Sequence, residues 1–367
     1  MKIAILGSRG YPYVYSGYET FIKELCERIV QFEGVEVTVY CHKNLFEDKP
    51  SELNGIKLIY ISTLKSKVLS QLVHSFQSFI HASFQNYDIV FAVNSANGPF
   101  GWIPRVFGKK TAVNVDGLEW LRPKWKGLGA KYFYWSSRLC TKTFNSIVND
   151  SEAMRDFYLQ EFNTDSTVIA YGANIKFSSE PSLIKHWGLN SKDYYLIVGR
   201  LIPDNNADVI VAEFIKSETT KKLVIVGDVP YSDAYAENLK KVQDDRLIFT
   251  GYVIDQQILA ELYHSCYAYF HGHEFGGTNP TMLKALGYGC AIVAIDTPFT
   301  REMLSNGKYG YFFSKQRDNL MSLIQELDNE DSKLEKLRLI SRDRITENYT
   351  WEKISLQYYE YFKRLLN

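Results

Sequence analysis

The residues of this chain that could do chemistry gather in three glycine-containing turns. The most crowded is HGHEFGGTNPTMLKALGYGC, His271–Cys290. An apolar run ends there, Glu274 follows, and Gly276, Gly277, Thr278, Asn279 and Pro280 lead into a helix expected from about Thr281. Proline in a first helical turn, with Thr or Asn as its cap, marks a helix N-terminus. The open amides and dipole of such an end suit a phosphate, and Glu274 adds a carboxylate for sugar hydroxyls. An ordinary capped helix start would explain the same pattern. The second turn is VGRLIPDNN, Val198–Asn206. Arg200 stands at a strand end there, where its planar fork can take a phosphate bidentately or pair with Asp204 on the surface. The third is GSRGYPYVYSGYETF, Gly7–Phe21. Gly7, Gly10 and Gly17 allow tight turns with amides free to meet an anion, and the helix after Glu19 adds its positive end. A plain strand-to-helix turn is the alternative. The turn is not GxGxxG, and no acidic residue closes the second strand at Cys41, which argues against a nicotinamide dinucleotide. His271 and His273 share one face of a strand with no third ligand evident, so hydrogen bonding is expected of them rather than a metal.

These turns must be held by the elements around them. Short β-branched runs alternate with amphipathic stretches, the pattern of parallel sheets covered by helices. The first half carries strand candidates at Lys2–Gly7, Val35–Cys41, Ile56–Ser62, Asp88–Asn94, Thr111–Gly117, Ser146–Asp150 and Ser166–Gly172. The second half carries them at Tyr194–Arg200, Lys222–Asp228, Arg246–Val253, Tyr267–His273 and Ala291–Asp296. Each half starts afresh with a strand that runs into a glycine, which predicts two doubly wound α/β domains facing a cleft. Periodicity lapses over Asn174–Asp193. The expected division is 1–172, 173–350 and a terminal helix at 351–367. That helix carries Trp351, Ile354, Tyr358, Tyr361, Phe362 and Leu365 at helical spacing and is expected to cross back to the first domain. Ligands of such sheets bind beyond the carboxyl ends of the strands, at the point where strand order reverses.

Composition narrows the class. The 367 residues are 46% hydrophobic and 23% charged, enough apolar material for packed cores. Lys+Arg and Asp+Glu both count 42, which argues against a general nucleic-acid binder. Cys26, Cys41, Cys140, Cys266 and Cys290 are odd in number and show no CxxC, the usage of a reducing compartment. No run approaches a membrane span and no leader pattern opens the chain, so a cytoplasmic protein is expected. One stretch stands apart: Lys109–Lys142 has a net charge of +6, with Trp120, Trp125, Tyr132, Phe133, Tyr134 and Trp135 interleaved. Cations mixed with aromatics suit an anionic lipid surface, with Lys124, Lys126, Lys131 and Trp125 as its candidate contacts. Lys65–Phe84 adds apolar residues at helical spacing and is expected to pack on its own sheet.

GSRGYP with YSGYETF, NVDGLEW, RLIPDNN, HGHEFGGTNP, DTPFTRE and YTWEKI occur in that order along nearly the whole chain. In these motifs the sequence resembles the rhamnosyltransferase-like branch of family 4 glycosyltransferases, retaining enzymes of GT-B fold. The resemblance implies transfer of a sugar, rhamnose from dTDP-rhamnose at best match and otherwise a UDP-linked sugar, to a lipid-linked saccharide in capsule or cell-wall polysaccharide synthesis. It implies no cofactor and no nucleic acid. It implies a peripheral place on the cytoplasmic face of the membrane, and Arg200, Glu274 and Asp116 as catalytic residues. Arg200 resembles the family's donor-diphosphate arginine, and Asn205 stands where classical members have a lysine. Glu274 resembles the first glutamate of a paired motif, given a short insertion, and Lys284 stands in place of the second, which holds the ribose. Gly276, Gly277, Thr278 and Asn279 resemble the phosphate cradle, with Gly10 and Gly17 on the donor side as well. GT-B transfer needs no Asp-x-Asp metal motif, and the chain has none. A sugar-nucleotide epimerase of related fold and a non-catalytic sugar-binding paralogue are the alternatives.

Overall fold

The computed structural model describes residues 1–13, 17–64, 66, 69–123, 125–229 and 232–367. The chain divides into two compact units, Met1–Gly172 with Trp351–Asn367, and Ala173–Thr350.

In the first unit eight strands form one sheet: β1 (Lys2–Leu6), β2 (Glu36–His42), β3 (Glu52–Leu53), β4 (Ile56–Ile61), β5 (Ile89–Val93), β6 (Lys110–Val115), β7 (Ser146–Asn149) and β8 (Thr167–Val168). Their order is β3-β4-β2-β1-β5-β6-β7-β8, parallel throughout except for the β3–β4 hairpin. β1 and β5 are almost wholly buried apolar runs, as strands covered on both faces must be. The helix Gly17–Ile29 buries Phe21, Ile22, Leu25, Cys26 and Ile29, the one-sided spacing of a surface helix. The terminal helix Trp351–Leu366 belongs to this unit. Tyr358 is fully buried there, its hydroxyl accepting from Asn114 Nδ2 at 3.1 Å, and Phe362 lies 5.2 Å from the Phe91 ring.

The second unit has six parallel strands: β9 (Tyr194–Val198), β10 (Lys222–Val226), β11 (Leu247–Gly251), β12 (Ala268–His271), β13 (Ile292–Ile295) and β14 (Gly310–Phe313). Their order is β11-β10-β9-β12-β13-β14, so the winding reverses between β9 and β12, as it does between β1 and β5 in the first unit. One core of Tyr195, Ile197, Phe214, Ile225, Phe270 and Val293 lies against this sheet. The twelve runs read as strands in the sequence all form strands, usually a residue or two shorter, and β8 keeps only two. β3 and β14 were not expected. β3 is two residues long and exists through its pairing with β4, and the GYFF of β14 lacks the length that makes a strand visible in sequence. All five cysteines are buried free thiols. Among the described residues no helix is long and apolar enough to cross a membrane.

Candidate functional site

In the second unit the turns after β9 and β12 meet at the reversal point. Gly227 has φ +125°, and a Cβ there would come within 2.0 Å of the Gly199 carbonyl, so glycine is required where two strand ends touch. Arg200 follows Gly199. Its side chain is exposed, and among the described residues no hydrogen bond or ion pair engages its guanidinium. Pairing with Asp204 does not occur: Asp204 is buried, and its carbonyl accepts from Glu274 N at 3.1 Å. Asn205 Nδ2 donates to the Arg200 carbonyl at 2.8 Å, and Asn205 Oδ1 meets His273 Nδ1 at 2.9 Å. Asn206 Nδ2 donates to Gly272 O at 2.8 Å and reaches Glu274 Oε2 at 3.4 Å. The two turns are thus stitched by two asparagine amides, with Arg200 and Glu274 projecting from them.

The Gly276–Asn279 loop ends on a capped helix. Asn279 Oδ1 accepts from Thr281 N at 2.9 Å, and the helix runs Pro280–Gly287, one residue earlier than the sequence suggested. Gly276 (φ +139°), Gly277 and Thr278 are buried against the unit. The Asn279 amide is not free, since it points at Met303 Sδ at 3.3 Å. Glu274 has a partner that sequence reading missed: Lys315 Nζ lies 2.6 Å from its Oε2. Lys315 stands just past β14, forty-one positions from Glu274, with no motif around it. Among the described residues Lys284 makes no ion pair with Glu274. Its ammonium donates to Gln256 Oε1 at 3.3 Å, and burial, then the charge of Lys176, lowers its pKa from the ordinary lysine value. His271 ends β12 and is buried, which pushes its pKa down to about 3, while His273 has turned off the strand to Asn205. Among the described residues no cluster could hold a metal ion.

The first unit holds the remaining candidates. Asp116 follows β6, and both its oxygens are occupied: the Tyr18 hydroxyl donates to one and the Tyr171 hydroxyl to the other at 2.7 Å. Burial raises the carboxyl's pKa, against the pull of those two donors. Burial and the nearby Asp116 charge push both phenols well above the ordinary tyrosine value, so they stay donors. The glycine turn after β1 is closed rather than open. Gly10 N–H donates to Ser8 Oγ at 3.2 Å, and at φ +122° a Cβ would meet Cys41 Sγ at 2.7 Å. The Arg9 amide donates to Glu19 Oε1 at 3.2 Å. Gly10 therefore offers no free amide to an anion. Gly17 opens the helix that was expected only after Glu19, and positions 14–16 before it lie outside the described residues.

The basic-aromatic stretch also divides. Arg122 is buried and salt-bridged to Glu119 at 2.6 Å, and Trp125 donates its indole N–H to Glu119 Oε2 at 2.7 Å with its ring 4.7 Å from Phe133. Neither is a free surface group. Lys126 and Lys131 are exposed, and Lys124 lies outside the described residues.

Residues 192–329 match the family model described as glycosyl transferases group 1. Residues 1–174 match a model described as a domain of unknown function, DUF1972. The chain is 25% identical over 158 residues to an alpha-monoglucosyldiacylglycerol synthase of Streptococcus pneumoniae, covering 40% of this chain and 35% of that one. It is 22% identical over 307 residues, 80% of this chain and 75% of the other, to a Campylobacter jejuni N-acetylgalactosaminyltransferase acting on a diphospho-undecaprenol-linked sugar. The chain spans 35–40% of the length of the first curated relatives it matches. Sucrose-phosphate synthase from Thermosynechococcus elongatus has a similar structure at 16% identity, with TM-score 0.81 over 99% of this chain and 98% of that one. HepE from Anabaena, solved with UDP-glucose, has TM-score 0.78 at 16% identity over 99% and 100%. The fold is GT-B, with two parallel-sheet domains.

Proposed function

We propose that this chain is a retaining, metal-independent glycosyltransferase that moves a sugar from a nucleoside diphosphate to a lipid-linked saccharide in surface polysaccharide synthesis. The observation that carries the reading is the unpartnered Arg200 at the β9/β12 reversal, beside a buried glycine loop and a carboxylate that a lysine already neutralises. As the glycosidic bond breaks, negative charge grows on the departing diphosphate. Arg200 and the positive end of the Pro280–Gly287 helix stabilise that charge, and Lys315 leaves Glu274 to join them. Glu274, released, accepts from hydroxyls of the transferred sugar. Asp116, held by two phenols, keeps lone pairs to orient a sugar hydroxyl on the first unit. The departing phosphate helps to take the proton of the acceptor hydroxyl.

The donor in this reading is thymidine-linked, with rhamnose as the sugar. Lys284 has three donors and no acceptor, so it cannot take hydrogen bonds from ribose hydroxyls, and deoxythymidine presents one hydroxyl fewer. The undecaprenol-linked substrate named for the Campylobacter relative supports a lipid-linked acceptor. Incubation with thymidine- and uridine-linked donors, with and without a polyprenyl-diphosphate saccharide, tests the whole reading. Acceptor-dependent release of thymidine diphosphate with retained anomeric configuration is expected. An altered free sugar nucleotide formed without acceptor would identify an epimerase, and no turnover or nucleotide binding would identify a non-catalytic paralogue.

A further inference from the structure

The helix Leu69–Ser83 carries apolar side chains on its outer face as well as its inner one. It buries His74, Ser75, Ser78, Phe79, Ala82 and Ser83 against its own sheet. Besides Gln77, the residues it shows to solvent are Leu69, Phe76 and Ile80, with Phe84 just beyond, 69% exposed. These four lie at i, i+7, i+11 and i+15, one stripe along the outer face. An ordinary surface helix keeps that outer face polar. The sequence reading that this stretch packs on its sheet holds for the inner face alone.

The stripe continues onto two neighbours. Phe84 meets Phe107 ring to ring at 4.8 Å, and Phe76 meets Phe100 at 5.7 Å. Phe107 ends the short helix Trp102–Val106, whose Trp102 and Val106 are 54% and 69% exposed. Arg105 of that helix donates to the carbonyls of Lys142 and Thr143 at 2.9 and 3.0 Å, which ties it to the end of the helix Leu128–Thr143. That helix sets Lys131, Trp135, Arg138 and Lys142 along one exposed stripe at i, i+4, i+7 and i+11. Tyr134, on another side of the helix, is taken by Glu161 and stays out of the face.

Charge decides the occupant. The three contributing segments, 69–87, 95–110 and 126–145, contain seven Lys or Arg and not one Asp or Glu, in a chain whose charges balance overall. A protein interface between copies of such a face would bring like charges together. We propose that this face of the first unit seats on an anionic lipid bilayer, with Phe76, Ile80, Phe84, Trp102 and Val106 entering the headgroup boundary and Arg105, Arg138 and Lys142 on lipid phosphates. The surface rests on the lipid-linked acceptor for its purpose, but it is measured without donor or acceptor, so failure of one reading leaves the other standing.

Co-sedimentation of the full chain with vesicles tests it. Binding to phosphatidylcholine vesicles containing a quarter phosphatidylglycerol is expected, with little binding to phosphatidylcholine alone and steep loss as salt shortens the reach of the charges. Arg138→Glu with Lys142→Glu is expected to lower partition about tenfold or more. Phe76→Gln with Ile80→Gln is expected to lower it by a similar factor at unchanged salt dependence, with circular dichroism and thermal melting confirming the fold. Equal binding to neutral and anionic vesicles, or full binding by both folded variants, overturns the proposal. So does a concentration-dependent dimer in sedimentation velocity that Phe76→Gln with Ile80→Gln dissociates while vesicle binding is absent.

Discussion

Both units leave their first strand through a glycine at the reversal of the sheet, yet the two turns are built for opposite ends. After β1 the turn is spent on itself. Ser8 takes the Gly10 amide, Glu19 takes the Arg9 amide, and Cys41 fills the space where a Cβ of Gly10 would go. After β9 the backbone is tied down by Asn205 and Asn206, which frees the side chain of Arg200 to stand unpaired. The same strand order therefore does not set the same chemistry. What differs is whether the local hydrogen bonds consume the turn's polar groups or leave a charge over. In the first unit Asp116 follows β6, and it is held by two phenols.

Breaking the second turn should cost most. Arg200→Ala is expected to lower the turnover of transfer by about 10²–10³ with the fold intact, the usual scale for one electrostatic donor to a developing anion. Near-normal turnover in the folded variant would remove Arg200 from the site. The matching change in the first unit acts on stability instead. Gly10→Ala forces a side chain into a left-handed backbone against Cys41 and should cost roughly 2–3 kcal/mol. An unchanged urea midpoint would show that this turn is less closed than its contacts imply.

Acid should weaken both units in the same way. Burial holds His74 of the first unit and His271 of the second neutral, with pKa values pushed down to about 3. Unfolded, each ring takes a proton near 6.5. The stability they carry is full above pH 6.5 and drains as pH falls toward 3, roughly 1–2 kcal/mol per ring by pH 5. His74→Leu should flatten the loss between pH 7 and 5 in urea unfolding of the first unit alone. A loss equal to wild type would assign it to other groups.

Two smaller effects sharpen the account of the second unit. Lys284→Glu should shift preference from thymidine diphosphate toward uridine diphosphate by about 1 kcal/mol in calorimetry, the net scale of one hydrogen bond. A clear uridine preference in the wild type would overturn the thymidine donor. Chelation should change nothing. Turnover abolished by EDTA and restored by Mg²⁺ or Mn²⁺ would require a metal that this mechanism does not use.

The alternation of strand and helix, the strand ends and the glycine turns were legible in the sequence because each is a local matter. A strand buried on both faces is a contiguous apolar run, and a turn with positive φ asks for glycine. The terminal helix was legible as a helix from the spacing of Trp351, Ile354 and Tyr358, which is local periodicity too. Tertiary structure alone decided which charges meet. Lys315 reaches Glu274 only because β14 joins the sheet two strands from β12. Tyr18 and Tyr171 converge on Asp116 from segments far apart in the chain, and Lys284 ended on Gln256. The helix Leu69–Ser83 shows the limit most plainly. Its 3.6-residue period was readable, but a period names two faces without saying which one meets the sheet. That choice belongs to the packing, where His74 and the serines fit and the phenylalanine–isoleucine stripe was left outside.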